Sequence, residues 1–244
     1  PAQEAMLYQW LLDGEQGRPA AHYVQQITFA LRSGADGDGS RDASGDGELD
    51  ADALEAAWAE LVRRHEGLRT LFPRTTAGSF RRVVLSGTRA CAERLDLASL
   101  PPLIQQERRD RHLRELRGTP FDLARGPLLF FTLFRRRDQR GVFWEMSWCF
   151  PHLLMDGWCI GIMLRELLAL YAARRAGRSA ALPEAPSLAR IRAALGPVDG
   201  LALREYWTAE LAGYDKAVSI VDVLARLFPA VETEPDDAQQ TAGD

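Results

Sequence analysis

Lysine is almost missing from this chain: Lys216 is the only one, and every other basic side chain is arginine. With abundant alanine, that bias points to a GC-rich coding sequence and says little about chemistry. Cysteine is scarce too. Cys91, Cys149 and Cys159 in 244 residues make no disulfide framework, and a reducing, cytoplasmic setting fits them. No apolar run reaches the roughly 18 residues that suggest a membrane span. The N-terminus, PAQEAMLYQWLL, lacks the basic start and unbroken apolar stretch of a signal peptide. The net charge is only −4, so no global field favours nucleic acid or an anionic membrane as partner. What is present is a globular balance, 46% hydrophobic and 26% charged, in a chain long enough to bury a sizeable core.

Along the chain, residues 2–13 read as a short helix and Tyr23 to Leu31 as a strand. Residues 34–47 are almost wholly Gly, Asp, Ser and Ala, a composition that buries no apolar area, and read as a flexible loop. Asp50 opens a helix with Leu54, Trp58, Leu61 and Val62 on one face, broken at Gly67. Phe80 to Leu85 reads as a strand. Residues 103–117 read as a helix whose arginines form a solvated face. Pro127 to Phe134 is a nearly continuous apolar run, as expected of a strand buried on both sides. Arg135 to Gly141 reads as a polar turn. Val142 to Phe150 alternates, with Trp144, Met146, Trp148 and Phe150 on one face and Glu145 and Ser147 on the other. A helix follows from Gly157, with Ile160, Met163, Leu164, Leu167, Leu168 and Tyr171 inward, and Arg165, Glu166 and Arg174 away from that face. Residues 178–200 read as a connector, residues 202–213 as a helix capped by Gly213, and the end as an acidic tail.

Chemistry concentrates at the strand-to-helix junction, Phe150-Pro151-His152-Leu153-Leu154-Met155-Asp156-Gly157-Trp158. An imidazole with a pKa of about 6.5 accepts and returns a proton near neutral pH. An amine attacking a thioester carbonyl needs that service. The spacing alone equally fits a buried His152 bonded to a backbone carbonyl, with Asp156 capping the next helix. Other assignments are weaker. His22, His65 and His112 read as structural or surface residues, with His65 ending a helix. Cys149 points away from Trp148, and nothing nearby would lower its pKa. A metal at His152 and Asp156 lacks a third ligand. Asp42, Ser44, Asp46 and Gly47 start like a calcium loop, but Ala53 stands where Glu is needed.

Several stretches together carry a resemblance. PAQEAMLY at 1–8, RHEGLRTLF at 64–72, PFDLARGPLL at 120–129, SWCFPHLLMDGWC at 147–159 and YWTAELAG at 206–213 resemble, in order, motifs of the condensation domains of nonribosomal peptide synthetases. The resemblance covers residues 1–215 and implies an N-terminal half of that domain, with residues 216–244 as a divergent tail. It implies an α+β, mixed αβ sandwich like that of chloramphenicol acetyltransferase: an antiparallel-rich sheet covered by helices. It implies His152 as the catalytic base, Asp156 and Gly157 as structural members of the motif, and Arg69 as the salt-bridge partner of Asp156. Met155 and Trp158 are expected to line a substrate channel. The implied reaction joins two carrier-bound substrates through an amide. No cofactor is bound directly; donor and acceptor carrier domains present phosphopantetheine arms. A C-terminal half or an adenylation domain is a further expected partner.

Two features depart from the family pattern. Pro151 stands where its first His is expected, and similarity fades after about residue 216, where the second half is expected. Asp156-Gly157-Trp158 fits amide-forming members, and the run from Ala5 to Gln26 is most like members joining two L-residues. Two other readings compete: a non-catalytic module that docks carrier domains or a partner half, and a standalone acyltransferase that takes acyl-CoA and works as an oligomer.

Overall fold

The computed structural model describes residues 6, 7, 9–11, 23–32, 49–87, 92–196, 199–214 and 227. The 34–47 segment, Cys91, His22 and all of the expected tail except Leu227 lie outside the described residues. In chain order the elements are β1 (Val24–Leu31), α1 (Ala51–Arg64), β2 (Thr70–Leu71), β3 (Val83–Val84), β4 (Ala92–Asp96), α2 (Pro102–Gly118), β5 (Phe130–Asp138), β6 (Gly141–Pro151), α3 (Gly157–Arg175), α4 (Leu188–Leu195) and α5 (Gly200–Glu210). Residues Glu66–Arg69 form a 3-10 turn between α1 and β2. A four-stranded sheet runs β1-β6-β5-β4, and β2 pairs only with β3.

The alternation of β6 decides the layering. Trp144, Met146, Trp148 and Phe150 face α1 and α3 and join Leu54, Trp58, Leu61, Met163 and Leu167 in the main core. Trp58 stacks on Phe131 with ring centroids 4.5 Å apart, and Phe29 meets Trp148 edge-on at 5.4 Å. Such aromatic pairs add to plain area burial. The opposite face carries Thr132, Glu145 and Ser147, all buried, beneath α2. A second apolar cluster, including Leu7, Phe72, Phe121, Leu128, Cys149 and Leu153, sits at the end of β6 where the junction begins.

β5 and β6 form the expected antiparallel hairpin, from Phe130↔Cys149 to Asp138↔Gly141. Their turn is shorter than the polar run suggested, because Arg135–Asp138 stay in the strand. Arg135 pairs with Asp96 on β4, and Arg136 with Glu145 on β6, so strand pairing continues past the last apolar residue. Gly141 takes φ +115°, which favours glycine at the hairpin bend. β4 lies parallel to β5. A parallel pair needs a long crossover, and α2 supplies it. The polar sequence of β4, AERLD, gave no strand signal. The Phe80–Leu85 strand shrinks to Val83–Val84, with Phe80 in an isolated bridge to Arg74.

α1 starts where expected: Asp50 accepts a hydrogen bond from the Ala53 N–H at 2.9 Å, and His65 ends it. In α3 two residues depart from the expected faces. Leu168 is exposed and Glu166 is buried. The connector contains α4, and α5 starts at an Asp199 cap and ends at Leu211, two residues before the expected Gly213. By its contacts the chain divides into two units, Pro1–Ala194 and Leu195–Asp244. No described helix is long and apolar enough to cross a membrane.

Candidate active site

The junction is held at both ends. The His152 N–H donates to the Tyr23 carbonyl at 2.6 Å, tying the loop to the start of β1. Pro151 pairs with Val24 as the last residue of β6 and has no N–H to extend the ladder. At the other end Asp156 accepts a hydrogen bond from the Cys159 N–H at 3.0 Å and caps α3. This bond holds its carboxyl below the usual range, with a smaller pull from His152. The cap is therefore present above ordinary carboxylate pKa values and is lost as pH falls through the lowered one.

Between these anchors the His152 side chain is half-buried. Its Nδ1 is shut off from solvent and has no hydrogen-bond partner. The alternative in which a backbone carbonyl occupies the ring is therefore not what this geometry shows at Nδ1. The alternative for Asp156, a helix cap, is what the geometry shows.

The geometry differs from what was expected at Arg69 and Met155. Among the described residues no ion pair joins Arg69 to Asp156. The Arg69 guanidinium donates instead to the Leu85 carbonyl, bracing the β2–β3 ribbon, while Asp156 is spent on the α3 amides. Met155, expected to line a channel, is 6% exposed and packs in the main core. Trp158 is 87% exposed on the first turn of α3. Gly157 starts α3, and a Cβ there would meet nothing within 4 Å, so close packing does not require glycine.

The cap assignment makes a prediction. Asp156→Ala is expected to cost about 1 kcal/mol, whereas Asp156→Asn, which still accepts from an amide, costs much less. Urea denaturation checks both. A double-mutant cycle with Arg69→Ala is expected to give coupling near zero; strong coupling would restore the ion pair.

Cys149 is no nucleophile. Burial pushes its thiol up to about 11, against a small opposing pull from Arg117 and Gln26. Cys159, half-buried on α3, is raised as well, first by burial. Iodoacetamide at pH 8, read by peptide mass spectrometry, is expected to label Cys159 well ahead of Cys149; equal rates would refute the buried environment. His112, on α2, contacts Thr132 Oγ1 at 3.3 Å and Glu93 at 3.6 Å, a structural place on the sheet.

Sequence reasoning missed one buried group further along α3. Glu166 accepts from Arg64 Nε at 3.1 Å and meets His65 Nε2 at 2.8 Å. The signal was available: Glu166 lies three residues after Met163 and directly before Leu167, on the buried face of α3.

Comparison with known proteins bears on the chain as a whole. The condensation domain family model covers residues 43–240. The chain is 34% identical over 178 residues to phosphinothricin tripeptide synthetase PhsC of Streptomyces viridochromogenes, covering 72% of this chain and 14% of that one. It is 26% identical over 181 residues to bacitracin synthase 3 of Bacillus licheniformis, covering 74% of this chain and 3% of that one. The fold matches the starter condensation domain of the rhizomide synthetase with a TM-score of 0.68 at 18% identity, over 87% of this chain and 48% of that one. The chain thus spans a small part of these curated relatives and about half of that solved domain. By motif order, fold and family match together, this chain belongs to the condensation-domain family of nonribosomal peptide synthetases.

Proposed function

We propose that this chain carries the acyl-transfer centre of an amide-forming condensation domain, with His152 as general base. The supporting observation is a half-buried imidazole at a rigid strand–helix corner whose Nδ1 is buried and not held by a backbone carbonyl, which leaves Nε2 as the nitrogen to take the proton. In the reaction, the acceptor's amine attacks the donor's thioester carbonyl. His152 takes the amine proton as the C–N bond forms, and the thiolate leaves as the C–S bond breaks. The proton can then pass to the departing sulfur. The substrates arrive on phosphopantetheine arms of donor and acceptor carrier domains. A second half, of the kind that makes up the rest of the solved relatives' length, would close a channel over His152 and exclude water. That enclosure holds carbonyl and amine in attack geometry.

The test mixes the chain with loaded donor and acceptor carriers, with and without a C-terminal condensation half. Amide product that needs both halves and an intact His152 supports the reading; product that survives His152→Ala ends it. Two observations favour a second reading, a non-catalytic docking module. Pro151 stands where the family's first His is expected, and among the described residues no ion pair joins Arg69 to Asp156. Carrier binding without any product in the complete system would select that reading.

A further inference from the structure

Three segments converge beside the His152 loop. Gly67 and Thr70 from the 3-10 turn region, Leu153 and Leu154 from the loop, and Leu188 at the start of α4 line one shallow cleft. The turn touches the loop through backbone: a Cβ placed on Gly67 would lie 3.8 Å from the Leu154 carbonyl oxygen. Leu68 and Leu154 also pack against the same core. The position of the turn therefore bears on the middle of the loop, between its two anchors at His152 and Asp156.

The turn is itself fixed from behind. His65 ends α1 in extended conformation and begins the turn, and its ring meets the Glu166 carboxylate. Arg64 donates Nε to the same Glu166 oxygen and Nη2 to the Pro183 carbonyl at 2.7 Å. Inside the turn, Glu66 uses its carboxylate to accept the Leu188 N–H at 2.7 Å, and its carbonyl accepts from Thr70 Oγ1 at 2.7 Å. Glu166 is 9% exposed. Burial alone would raise its pKa, but the His65 and Arg64 contacts outweigh that and hold it low. A buried carboxylate shared by two partners, on the helix that starts at the motif's own Asp156, is a fixed point for the whole corner.

Resting on the general-base reading of His152, we infer that Glu166 is a positioning residue for it: through His65 and Arg64 it sets the turn whose Gly67 backs the catalytic loop at Leu154. Loss of this support lets the loop shift while both its anchors remain. Displacement of about 1 Å at a reacting group can cost about 10²-fold in rate.

The experiment uses the full chain with Glu166→Ala and Glu166→Gln. Hydrogen exchange and the His152 ring signal in NMR need no activity. With Glu166→Ala, exchange in residues 153–155 is expected to rise about tenfold and the His152 signal to move, while the β5–β6 core keeps its protection. Glu166→Gln, which keeps the shape and one acceptor, is expected to restore part of both. In the two-half assay, kcat is expected to fall up to about 10²-fold with KM little changed. If Glu166→Ala fails to fold, Glu166→Gln carries the test. Faster exchange confined to residues 65–70, or spread equally over the sheet, overturns the inference. Activity that persists in His152→Ala overturns the general-base reading instead, whatever the loop does.

Discussion

Amide formation in the two-half assay is expected to fall about 10²–10⁴-fold on His152→Ala, with carrier binding little changed. The size follows from what the ring does. A positioned base removes a proton only as the new bond forms, so its loss acts on the transition state and lowers kcat and kcat/KM alike. The remaining rate would come from holding the two substrates together. The same substitution separates chemistry from packing. Nδ1 is buried without a partner, and leaving such a group unsatisfied costs about 1–3 kcal/mol. Removing the ring therefore forfeits contacts but also relieves that cost. Stability is expected to change by less than about 1 kcal/mol, or roughly 2–4 °C in Tm for a chain of this size. Lost activity with an unmoved Tm assigns the ring to catalysis. A much larger fall in Tm would make it a packing residue.

The parts of this protein that were legible in sequence are those where one period dominates. Trp144, Met146, Trp148 and Phe150 alternate strictly, and the sheet's inner face followed from them. Leu54, Trp58, Leu61 and Val62 gave α1, and Asp50 gave its start. The harder parts are set by charge. Arg135 to Asp138 looked like a turn because four polar residues follow an apolar run. They remain in the strand because Arg135 pairs with Asp96 on β4, 39 residues away, and Arg136 with Glu145 on the facing strand of the hairpin, and neither pairing shows in the run's own pattern. β4 was invisible for the same reason: a polar edge strand is recognised by its neighbour, not by its own pattern. At the site, spacing and motif singled out His152 and Asp156 but left two roles open for Asp156, a cap of the next helix and a pair with Arg69. A carboxylate at a helix start can cap the helix or pair with an arginine, and only coordinates show which geometry is reached. Met155 was misplaced because a loop has no period to say which way its side chains turn.

Glu145 is where charge carries the most stability, and Glu145→Ala is expected to cost about 3–5 kcal/mol in urea or thermal denaturation. The reason starts with α2. Its only buried residues are Gln105 and Leu113, so it has almost no apolar face with which to hold the sheet. Polar bonds hold it instead. Glu145, 8% exposed at the side chain, accepts from Arg109 Nε on α2 at 2.7 Å and from Arg136 Nη1 on β5 at 2.7 Å. Arg136 reaches on to Gln106 at 2.8 Å, and Gln105 accepts from the Arg137 N–H at 3.0 Å. Burial by itself would lower the pKa of Arg109, and its bonds to Glu145 and Asp110 more than reverse this. Deleting the carboxylate strands two partly buried guanidinium groups in a low dielectric. Arg109 keeps Asp110, at 2.7 Å, and Arg136 keeps Gln106 and the Phe143 ring, which places the expected loss nearer the lower end of the range. Glu145→Gln keeps the shape but not the charge and is expected to lose less. If the cost is stranded charge, removing Arg109 and Arg136 together with Glu145, in favour of leucines, should recover most of the stability. If the cost is lost shape beneath α2, the triple variant should be no better than Glu145→Ala. Because the crossover helix joins β4 to β5, its loosening should be seen first as faster hydrogen exchange in α2 and β4, with the hairpin and the His152 corner still protected.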